Sequence, residues 1–587
     1  MTPTSSHTTA LVEGPATELA TDVCLPDGVG PFPAVLIRTP YDRTRHLAEA
    51  RGWARRGFAA VVQDVRGRHA SPGEWRPYEN EAADGAMTAR WIRRQPWSDG
   101  RFVAVGASYA AHCALVLALA LEAHGDAPPH GVILAVPALG PAETAREPSG
   151  VERLSARAGW WAAHGDRRDS DEGALDKALA DDPGLLAHLP LAGLPRRLGR
   201  SLPSWPGLWR HRARGRLAAR AAHAGMPLLA VGGHHDHFTE DTLALWRTWG
   251  GPSARLLLGP WGHGLVAAPG PDAGPAHRVV LGELYAEWAR RALAGDLAPG
   301  RHGALALGGA DLWLPAGTEG EARPQRLRPL HGAVFTADPE RPVRSDDLTV
   351  PAASPGVPAD RCVLVGAPLP RPLDVVGPVR VRLRATADTP SADWFARLVA
   401  LTPEGHAERL AVGVRRCGEP AGWGRPAGRP DAPAEAGTRD RDRAPDEGRH
   451  RAPYRDPHRD RDGDGDEGRH RDPHRDRDRA PDEGRHQDRD HVRTADGPGQ
   501  GTDTTAEFTV ELGHLARRLR AGTRLRLEIT GHHFPAHARN PHTGEDPITA
   551  DRLLASRREV DPESVTLTLP VLPSRPTPTD PAKETLR

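Results

Sequence analysis

The sequence predicts an α/β domain with a mostly parallel sheet, a helical segment inserted into it, and a second domain of antiparallel strands. In residues 1–140 and 224–300, apolar runs rich in β-branched residues alternate with helical patterns. Over 141–223 the strand pattern gives way to helical periodicity in a segment rich in Leu, Ala, Arg and Trp. From 301 to 587 the alternating helices disappear, and short strands with alternating polar and apolar residues follow one another. At 587 residues the chain is too long for one hydrophobic core, so two or three domains are expected.

The first domain is assigned from runs that are apolar on both faces, as expected of strands covered by helices on each side. Helical patterns at 47–56 and 84–94 separate the first of these runs. The predicted strands are 34–37, 59–62, 102–105, 131–136, 228–231 and 255–258. The insertion at 141–223 is interpreted either as a cap over an active site or as an insertion with a structural role only.

The second domain is assigned from strands in which arginine alternates with Val and Leu, an arrangement that places one face in a core and one in water. These strands are predicted at 379–385, 397–401, 506–512, 524–530 and 564–571. Residues 418–501 interrupt the domain with repeats of RDRAPDEGRH and almost no aliphatic side chains. We predict that this insert is disordered, since it cannot bury enough apolar surface to offset ordering. Weak metal binding by its histidines is a less favoured interpretation.

The composition excludes several classes of protein. Basic and acidic residues both number 77, so the net charge gives no reason to expect a nucleic-acid or membrane partner. The four cysteines are far apart and have no CxxC spacing, which argues against a zinc site and a disulfide framework. The first residues lack the pattern of a secretory signal, and no run of about 18 apolar residues exists. We expect a cytoplasmic protein, and the sequence makes no prediction of its oligomeric state.

The most informative segment is FVAVGASYAAH, residues 102–112. An apolar strand ends at Gly106, and a helical pattern begins within a few residues, with Ser108 between them. A sharp strand-to-helix turn of this kind exposes a serine hydroxyl above a sheet. The small residues Gly106 and Ala110, on either side, fit so tight a turn. An ordinary Gly/Ser turn is the alternative interpretation.

A serine nucleophile needs a base, and the base needs a carboxylate that orients it. Asp236 follows the predicted strand 228–231, and His263 follows the next strand, 255–258. Because the carboxyl ends of parallel strands lie at one edge of a sheet, the loops of Ser108, Asp236 and His263 can converge. Their order in the chain is that of one known triad arrangement.

Other residues compete for these roles. The cluster HHDH at 234–237 could bind a metal, although adjacent histidines in an extended segment point in opposite directions. Asp64 and Asp99 are rival carboxylates. Asp64 lies beside arginines at 66 and 68, which favours an ion pair. His112, on the helix after the turn, is expected to pack or to face solvent rather than act as the base.

The oxyanion of a tetrahedral intermediate needs hydrogen-bond donors. The main-chain N–H of Tyr109, directly after Ser108, is the first candidate. The phenol of Tyr41, in the loop after the first predicted strand, is the second; its alternative role is to pack in a Pro-Tyr turn.

These residues lie in motifs that resemble the CocE/NonD family of serine hydrolases, which includes cocaine esterase, α-amino acid ester hydrolases and, more distantly, Xaa-Pro dipeptidyl-peptidases. The motifs occur in order and cover most of the chain outside the insert. They are TPYDR (39–43), DVRGRHASPGEW (64–75), ENEAADGAMTARWIRRQPWSDG (79–100), VGASY (105–109), GGHHDHF (232–238), GPWGH (259–263), LDVVGPVRVRLRATADTPSADWFARL (373–398), AGTRLRLEITGHHFP (521–535) and ESVTLTLPV (563–571).

The resemblance implies an α/β-hydrolase domain with an inserted helical cap, followed by an all-β jelly-roll sandwich domain. It implies that Ser108, Asp236 and His263 form a catalytic triad. It also implies that Tyr41 and the N–H of Tyr109 form the oxyanion hole, and it predicts no cofactor and no metal. One departure is Ala111, where the family usually has glycine.

The predicted activity is cofactor-independent hydrolysis of a small-molecule ester or a short peptide or amide, with a carboxylesterase ranked first. Xaa-Pro dipeptidyl-peptidase and α-amino acid ester hydrolase or acylase activities are the alternatives. They need carboxylates for a substrate ammonium, and the cap offers Asp166, Asp169, Asp171 and Glu172. From another class, a non-catalytic binding protein on the same scaffold is the rival, and nucleic-acid binding through the insert ranks below it.

Overall fold

The computed structural model describes residues 6–352, 355–418 and 506–587. In this part of the chain the first domain is built on a ten-stranded sheet in the order β1-β2-β4-β3-β5-β6-β7-β8-β11-β12. The strands from β4 to β11 in this order run parallel, and β1, β2 and β12 pair antiparallel at the two edges. A short hairpin, β9–β10, follows β8. The bounds are β1 Ser6–Glu13, β2 Glu18–Leu25, β3 Phe32–Thr39, β4 Ala59–Asp64, β5 Ser98–Ala107, β6 Val132–Ala135, β7 Leu228–Gly233, β8 Ser253–Gly259, β9 Trp261–Gly262, β10 Leu265–Pro269, β11 Gly300–Leu307 and β12 Leu312–Pro315.

Helices cover both faces of this sheet. Successive residues of β3 show why the strands are apolar throughout: Ala34 and Leu36 belong to the core of one face, and Val35 and Ile37 to the core of the other. Four helices, α2, α3, α9 (Arg216–Ala221) and α10, contribute to the first core, and α1 and α11 contribute to the second. Their bounds are α1 Leu47–Ala54, α2 Glu81–Arg93, α3 Tyr109–Ala123, α10 Thr239–Thr248 and α11 Leu281–Ala294.

Between β6 and β7 the chain forms short helices, as the helical periodicity predicts. They are α4 Pro141–Ala145, α5 Ser155–His164, α6 Ala174–Asp181, α7 Leu194–Arg197, α8 Trp205–Leu208 and α9 Arg216–Ala221. Five of them, α4 to α8, share a separate apolar core that contains Trp161, Trp205 and Trp209. Phe534 and Ile548 from the second domain also belong to this core, so the second domain helps to hold the segment in place.

The second domain has two antiparallel sheets in the described residues. One contains β13, β23, β17, β22 and β15, with β20 also paired to β17, and the other has the order β14-β16-β21-β18-β19. Side chains from both sheets form one core between them. The bounds are β13 Glu321–Gln325, β14 Leu327–His331, β15 Val334–Ala337, β16 Arg361–Gly366, β17 Leu373–Ala387, β18 Ala392–Leu401, β19 Ala407–Cys417, β20 Ala506–Leu519, β21 Arg524–Thr530, β22 Ser556–Val560 and β23 Thr566–Val571. The predicted fold class, an α/β domain followed by an all-β domain, is confirmed.

The first sheet extends past residue 300, where the sequence placed the start of the second domain. Strand β11 pairs with β8 in parallel, and β12 pairs with β11. A last helix, α12 Pro581–Leu586, contacts β11 and α11. The loss of helical patterning near residue 301 marks the hairpin that ends the first sheet rather than a change of domain.

The predicted disorder of 418–501 lies outside the described residues, apart from Gly418. Within the described residues, no helix is long and apolar enough to cross a membrane.

His112 lies inside the first domain, on α3, and is 5% exposed. Its Nδ1–H donates a hydrogen bond to the carbonyl of Leu139 at 3.0 Å, and its ring lies 4.9 Å from the ring of Tyr78. Burial lowers the pKa of His112 to about 4. The ring is therefore neutral at physiological pH, and it packs rather than faces solvent.

The buried His112 predicts acid sensitivity of the fold. Its folded-state pKa of about 4 lies below the unfolded value of 6.5, so only the unfolded chain takes up this proton between those values, and stability is lost as the pH falls from 6.5 towards 4. From pH 7 to pH 5, we expect the free energy of unfolding of the wild type to fall by about 2 kcal/mol more than that of His112→Gln. Urea unfolding at both pH values measures the difference. The exposed His211→Gln is the control, and equal losses in wild type and His112→Gln would contradict the assignment.

Candidate active site

The turn between β5 and α3 presents Ser108 at the carboxyl edge of the first sheet. Ser108 has φ 57° and ψ −120°, a conformation that L-residues rarely adopt and that raises the hydroxyl above the strand ends. A Cβ at position 106 would lie 2.2 Å from the carbonyl carbon of Ala110, so only glycine lets the helix begin so close to the strand. Ala111, where the resembled family has glycine, is accommodated in the core of the sheet.

The structure brings Ser108, His263 and Asp236 together. Asp236 lies in the loop after β7, and His263 lies between the short strands β9 and β10 that follow β8. Nε2 of His263 is 3.0 Å from Oγ of Ser108, and Nδ1 is 2.9 Å from Oδ1 of Asp236. The Asp236 side chain is fully buried, whereas 41% of the His263 side chain is exposed. One imidazole thus connects a partly exposed hydroxyl to a buried carboxylate.

His237 supports this arrangement. Its ring stacks on the ring of His263 with centroids 5.1 Å apart, and its Nδ1 lies 3.3 Å from Oδ1 of Asp236. Desolvation by the surrounding protein lowers the pKa of His237 to about 4, although 40% of its side chain is exposed.

The other histidines of the HHDH cluster point away from Asp236. Nε2 of His234 lies 3.2 Å from the carbonyl of Ala306, and Nε2 of His235 lies 2.6 Å from Oδ1 of Asp272. In the described part of the chain, the one His/Cys/Asp/Glu group close enough to share a metal ion is Asp236, His237 and His263. Both ring nitrogens of His263 already face protein partners there, so a metal would have to displace a hydrogen bond.

The rival carboxylates have other partners. Asp64 is buried and accepts hydrogen bonds at 2.8 Å from both the main-chain N–H and the guanidinium of Arg43. Asp64 therefore forms an ion pair, as expected, but with Arg43. The neighbouring Arg66 pairs with Asp84 instead. Asp99 pairs with Arg101 at 2.8 Å.

Tyr41 lies beside the nucleophile. Its hydroxyl accepts a hydrogen bond from Nε1–H of Trp160 at 3.1 Å. Burial raises the pKa of Tyr41 to about 12, against the lowering effect of hydrogen bonds with Trp160, the Ser108 side chain and the Tyr109 main chain. The phenol is therefore protonated at neutral pH and can donate a hydrogen bond next to the Tyr109 N–H.

The phenol of Tyr109 is anchored beneath the site, which the sequence did not indicate. It donates to Oε1 of Glu81 at 2.5 Å and accepts from the main-chain N–H of Tyr78 at 2.6 Å. Burial raises the pKa of Glu81. Glu81 lies in the family-like motif at 79–100, but nothing in the sequence indicated that it contacts Tyr109. Nothing in the sequence indicated the contact between Trp160 and Tyr41 either.

The acidic residues expected to bind a substrate ammonium already have partners. Asp166 accepts hydrogen bonds from Ser204, and Asp171 pairs with Arg200. Asp169 and Glu172 line a cleft of about 270 Å³ that reaches Tyr41, where they lie 3.4 Å from His69 and 3.1 Å from Arg45, respectively. Only these two acidic side chains of the four adjoin the site.

Two protein-family descriptions match the chain. Residues 13–265 match X-Pro dipeptidyl-peptidase (S15 family), and residues 331–437 and 467–566 match the X-Pro dipeptidyl-peptidase C-terminal non-catalytic domain. The first match includes the turn of Ser108 and the loops of Tyr41, Asp236 and His263. The second covers most of the all-β domain.

Known proteins resemble the chain over different lengths. Cocaine esterase of Rhodococcus sp. (strain MB1 Bresler) is 30% identical over 284 residues, which make up 42% of this chain and 46% of the esterase. The chain therefore matches about half the length of that relative. An α-amino acid ester hydrolase has a similar structure with a TM-score of 0.66 at 16% identity, covering 96% of both chains. An aminopeptidase from a marine sediment Thaumarchaeota archaeon has a TM-score of 0.65 at 16% identity, covering 98% of both chains.

These structural similarities show the fold, and the sequence matches identify the type of each domain. The S15 domain, the C-terminal domain that accompanies it and the similarity to cocaine esterase agree with the motifs read along the sequence. The chain therefore contains a domain of the X-Pro dipeptidyl-peptidase (S15) family, followed by the C-terminal non-catalytic domain of X-Pro dipeptidyl-peptidases, and part of it is similar in sequence to cocaine esterase.

Proposed function

We propose that the protein is a serine hydrolase that cleaves ester or amide bonds through an acyl-enzyme. The observation that carries the proposal is the hydrogen-bonded series from Ser108 Oγ through His263 to Asp236, with distances of 3.0 and 2.9 Å. Both lie in the range required for proton transfer and for orientation of the base.

In the proposed reaction, Ser108 attacks the carbonyl carbon while Nε2 of His263 takes the hydroxyl proton. The same nitrogen returns that proton to the leaving alcohol or amine, and a water molecule repeats the sequence to release the acid. Asp236 accepts from Nδ1–H, which fixes the imidazole tautomer and stabilises the transient imidazolium. Its burial strengthens this interaction, since few water molecules screen it.

The oxyanion hole is proposed to consist of the Tyr109 N–H and the Tyr41 hydroxyl. The Tyr41 phenol is held by Trp160 at 3.1 Å, and the position of Tyr109 is held by Glu81 at 2.5 Å. Donors fixed before the reaction stabilise developing charge without reorganisation. No step in this scheme calls for a cofactor.

Within the class, we rank a carboxylesterase acting on small-molecule esters above an Xaa-Pro dipeptidyl-peptidase or an acylase. The ranking is supported by the ion-pair and hydrogen-bond partners of the cap carboxylates, which leave fewer negative groups free for a substrate ammonium. A cytoplasmic location and a small-molecule rather than macromolecular partner remain part of this proposal.

Substitution within the triad tests the proposal. Ser108→Ala is expected to lower kcat for 4-nitrophenyl acetate on the order of 10⁴-fold, because it removes the nucleophile. Asp236→Asn is also expected to lower kcat strongly, since the amide favours the wrong tautomer of His263. Release of 4-nitrophenol measures both, and unchanged thermal unfolding controls for the fold. Asp99→Asn, on a rival carboxylate, should keep wild-type activity.

A fluorophosphonate probe separates an enzyme from a non-catalytic binding protein on the same scaffold. The wild type should be labelled at Ser108, as located by peptide mass spectrometry, and Ser108→Ala should not. A folded wild type without any adduct would favour the binding protein.

The substrate class is tested by comparing 4-nitrophenyl acetate with alanyl-prolyl-4-nitroanilide. We expect a higher kcat/KM for the ester. A strong preference for the anilide would reverse the ranking and leave the triad in place.

A further inference from the structure

The cap contains a buried arginine with free donors beside the proposed active site. Arg157, in α5, is 4% exposed, and its Cζ lies 5.7 Å from the centre of the Trp160 ring. Trp160 in turn donates to the Tyr41 hydroxyl and stacks on the Tyr109 ring with centroids 5.8 Å apart. Arg157 is thus one side chain away from the Tyr41 hydroxyl, one of the two proposed oxyanion donors.

Arg157 has no carboxylate within ion-pair distance among the described residues. A hydrogen bond joins it to the Tyr78 hydroxyl, the Trp160 ring lies beside it, and it interacts electrostatically with Tyr41 and the like-charged Arg153. In the described part of the chain, its Nε and Nη2 have no hydrogen-bond partner. Burying a guanidinium without a counter-charge costs several kcal/mol, so its position calls for a partner.

The two free donors lie on the same edge of the guanidinium. In this protein, that edge is the one that binds carboxylates in a forked pair. Four residues earlier, Nε and Nη2 of Arg153 bind the two oxygens of Glu147 at 3.0 and 2.8 Å. The same edge of Arg361 binds Asp360 at 2.8 and 2.8 Å, and that of Arg518 binds Asp374 at 2.6 and 2.7 Å. On Arg157 this edge is empty.

Resting on the proposed serine hydrolase function, we propose that Arg157 is a specificity-determining residue that binds a carboxylate of the substrate through Nε and Nη2. The substrate class is then an ester or amide with a second, anionic end. Fork-to-fork pairing of a buried guanidinium with a carboxylate is strong and directional, so it would fix the substrate relative to Ser108. Trp160 and Tyr78, both half-buried, cover the guanidinium and would have to part when the substrate enters.

Two pairs of matched substrates test the proposal and locate the carboxylate. Monoethyl adipate against ethyl hexanoate places it on the acyl side, and 4-acetoxybenzoate against 4-acetoxytoluene places it on the leaving group. In the wild type, we expect kcat/KM to favour the charged member at least tenfold in one pair. The pair that shows the preference identifies the side of the substrate that Arg157 binds.

Substitution then assigns the preference to Arg157. Arg157→Gln should lower the charged-to-neutral ratio of kcat/KM at least tenfold, and Arg157→Lys, which keeps the charge but loses the fork, should retain part of it. Arg196→Gln, which removes an exposed cap arginine, should leave the ratio unchanged. Circular dichroism and thermal unfolding identify any variant that does not fold.

The outcome that overturns the proposal is a wild type that prefers the neutral member of both pairs, or an Arg157→Gln variant that folds and keeps the wild-type ratio. The comparison of charged and neutral substrates with the wild type tests the proposal even when no variant folds. Failure of the serine hydrolase assignment itself looks different: no ester is turned over, charged or neutral, and Ser108→Ala matches the wild type.

Discussion

The strained turn at Ser108 is the constraint on which the rest of the site depends. A serine with φ 57° costs on the order of 1–3 kcal/mol, and the surrounding structure has to hold it there. The Ser108 N–H donates to the carbonyl of Ala135 at 2.9 Å, and the Ser108 carbonyl accepts from Ala138 at 3.2 Å. Because α3 is buried along Leu115, Leu117 and Leu121, it cannot move away from the strand end. The hydrophobic effect thus stabilises a conformation that the local chain disfavours.

Around this turn, burial sets the protonation states that the proposed chemistry needs. Burial raises the pKa of Tyr41 and keeps its phenol protonated beside Ser108, and desolvation lowers the pKa of the partly exposed His237 beside His263. The Asp236 carboxylate is enclosed in protein, while His263 remains open to solvent on one side. A hydroxyl, an imidazole and a carboxylate are common side-chain groups. The exclusion of water from one side of the site would strengthen the electrostatic interactions between them, so that they can act together.

The all-β domain holds the inserted segment 141–223, and this links that domain to the site. Main-chain N–H groups of Leu154 and Ala192 donate to the carbonyls of Ala536 and Ile548 at 2.8 Å each. Nε2 of His537 lies 2.9 Å from Oε1 of Glu147, which also binds Arg153. The second domain therefore fixes the start of α5, the helix that carries Arg157 and Trp160. A domain without proposed catalytic residues shapes the face of the cap that lies over Ser108.

The sequence by itself determined the fold class, the positions of six parallel strands along the chain and the three loops that carry Ser108, Asp236 and His263. These follow from local signals: apolar runs of strand length, a Gly-x-Ser turn, and polar residues placed directly after strands. The residues at 419–505 lie outside the described structure, so the prediction of a disordered insert stands as made. Only the tertiary structure decided that β11 and β12 complete the first sheet, that Glu81 anchors Tyr109, and that Arg43 rather than Arg66 pairs with Asp64. It also decided that Arg157 is buried with an empty donor edge. These contacts join residues that are far apart in the chain, and the free donor edge of Arg157 depends on which side chains lie around it. Neither feature produces a periodic pattern in the sequence.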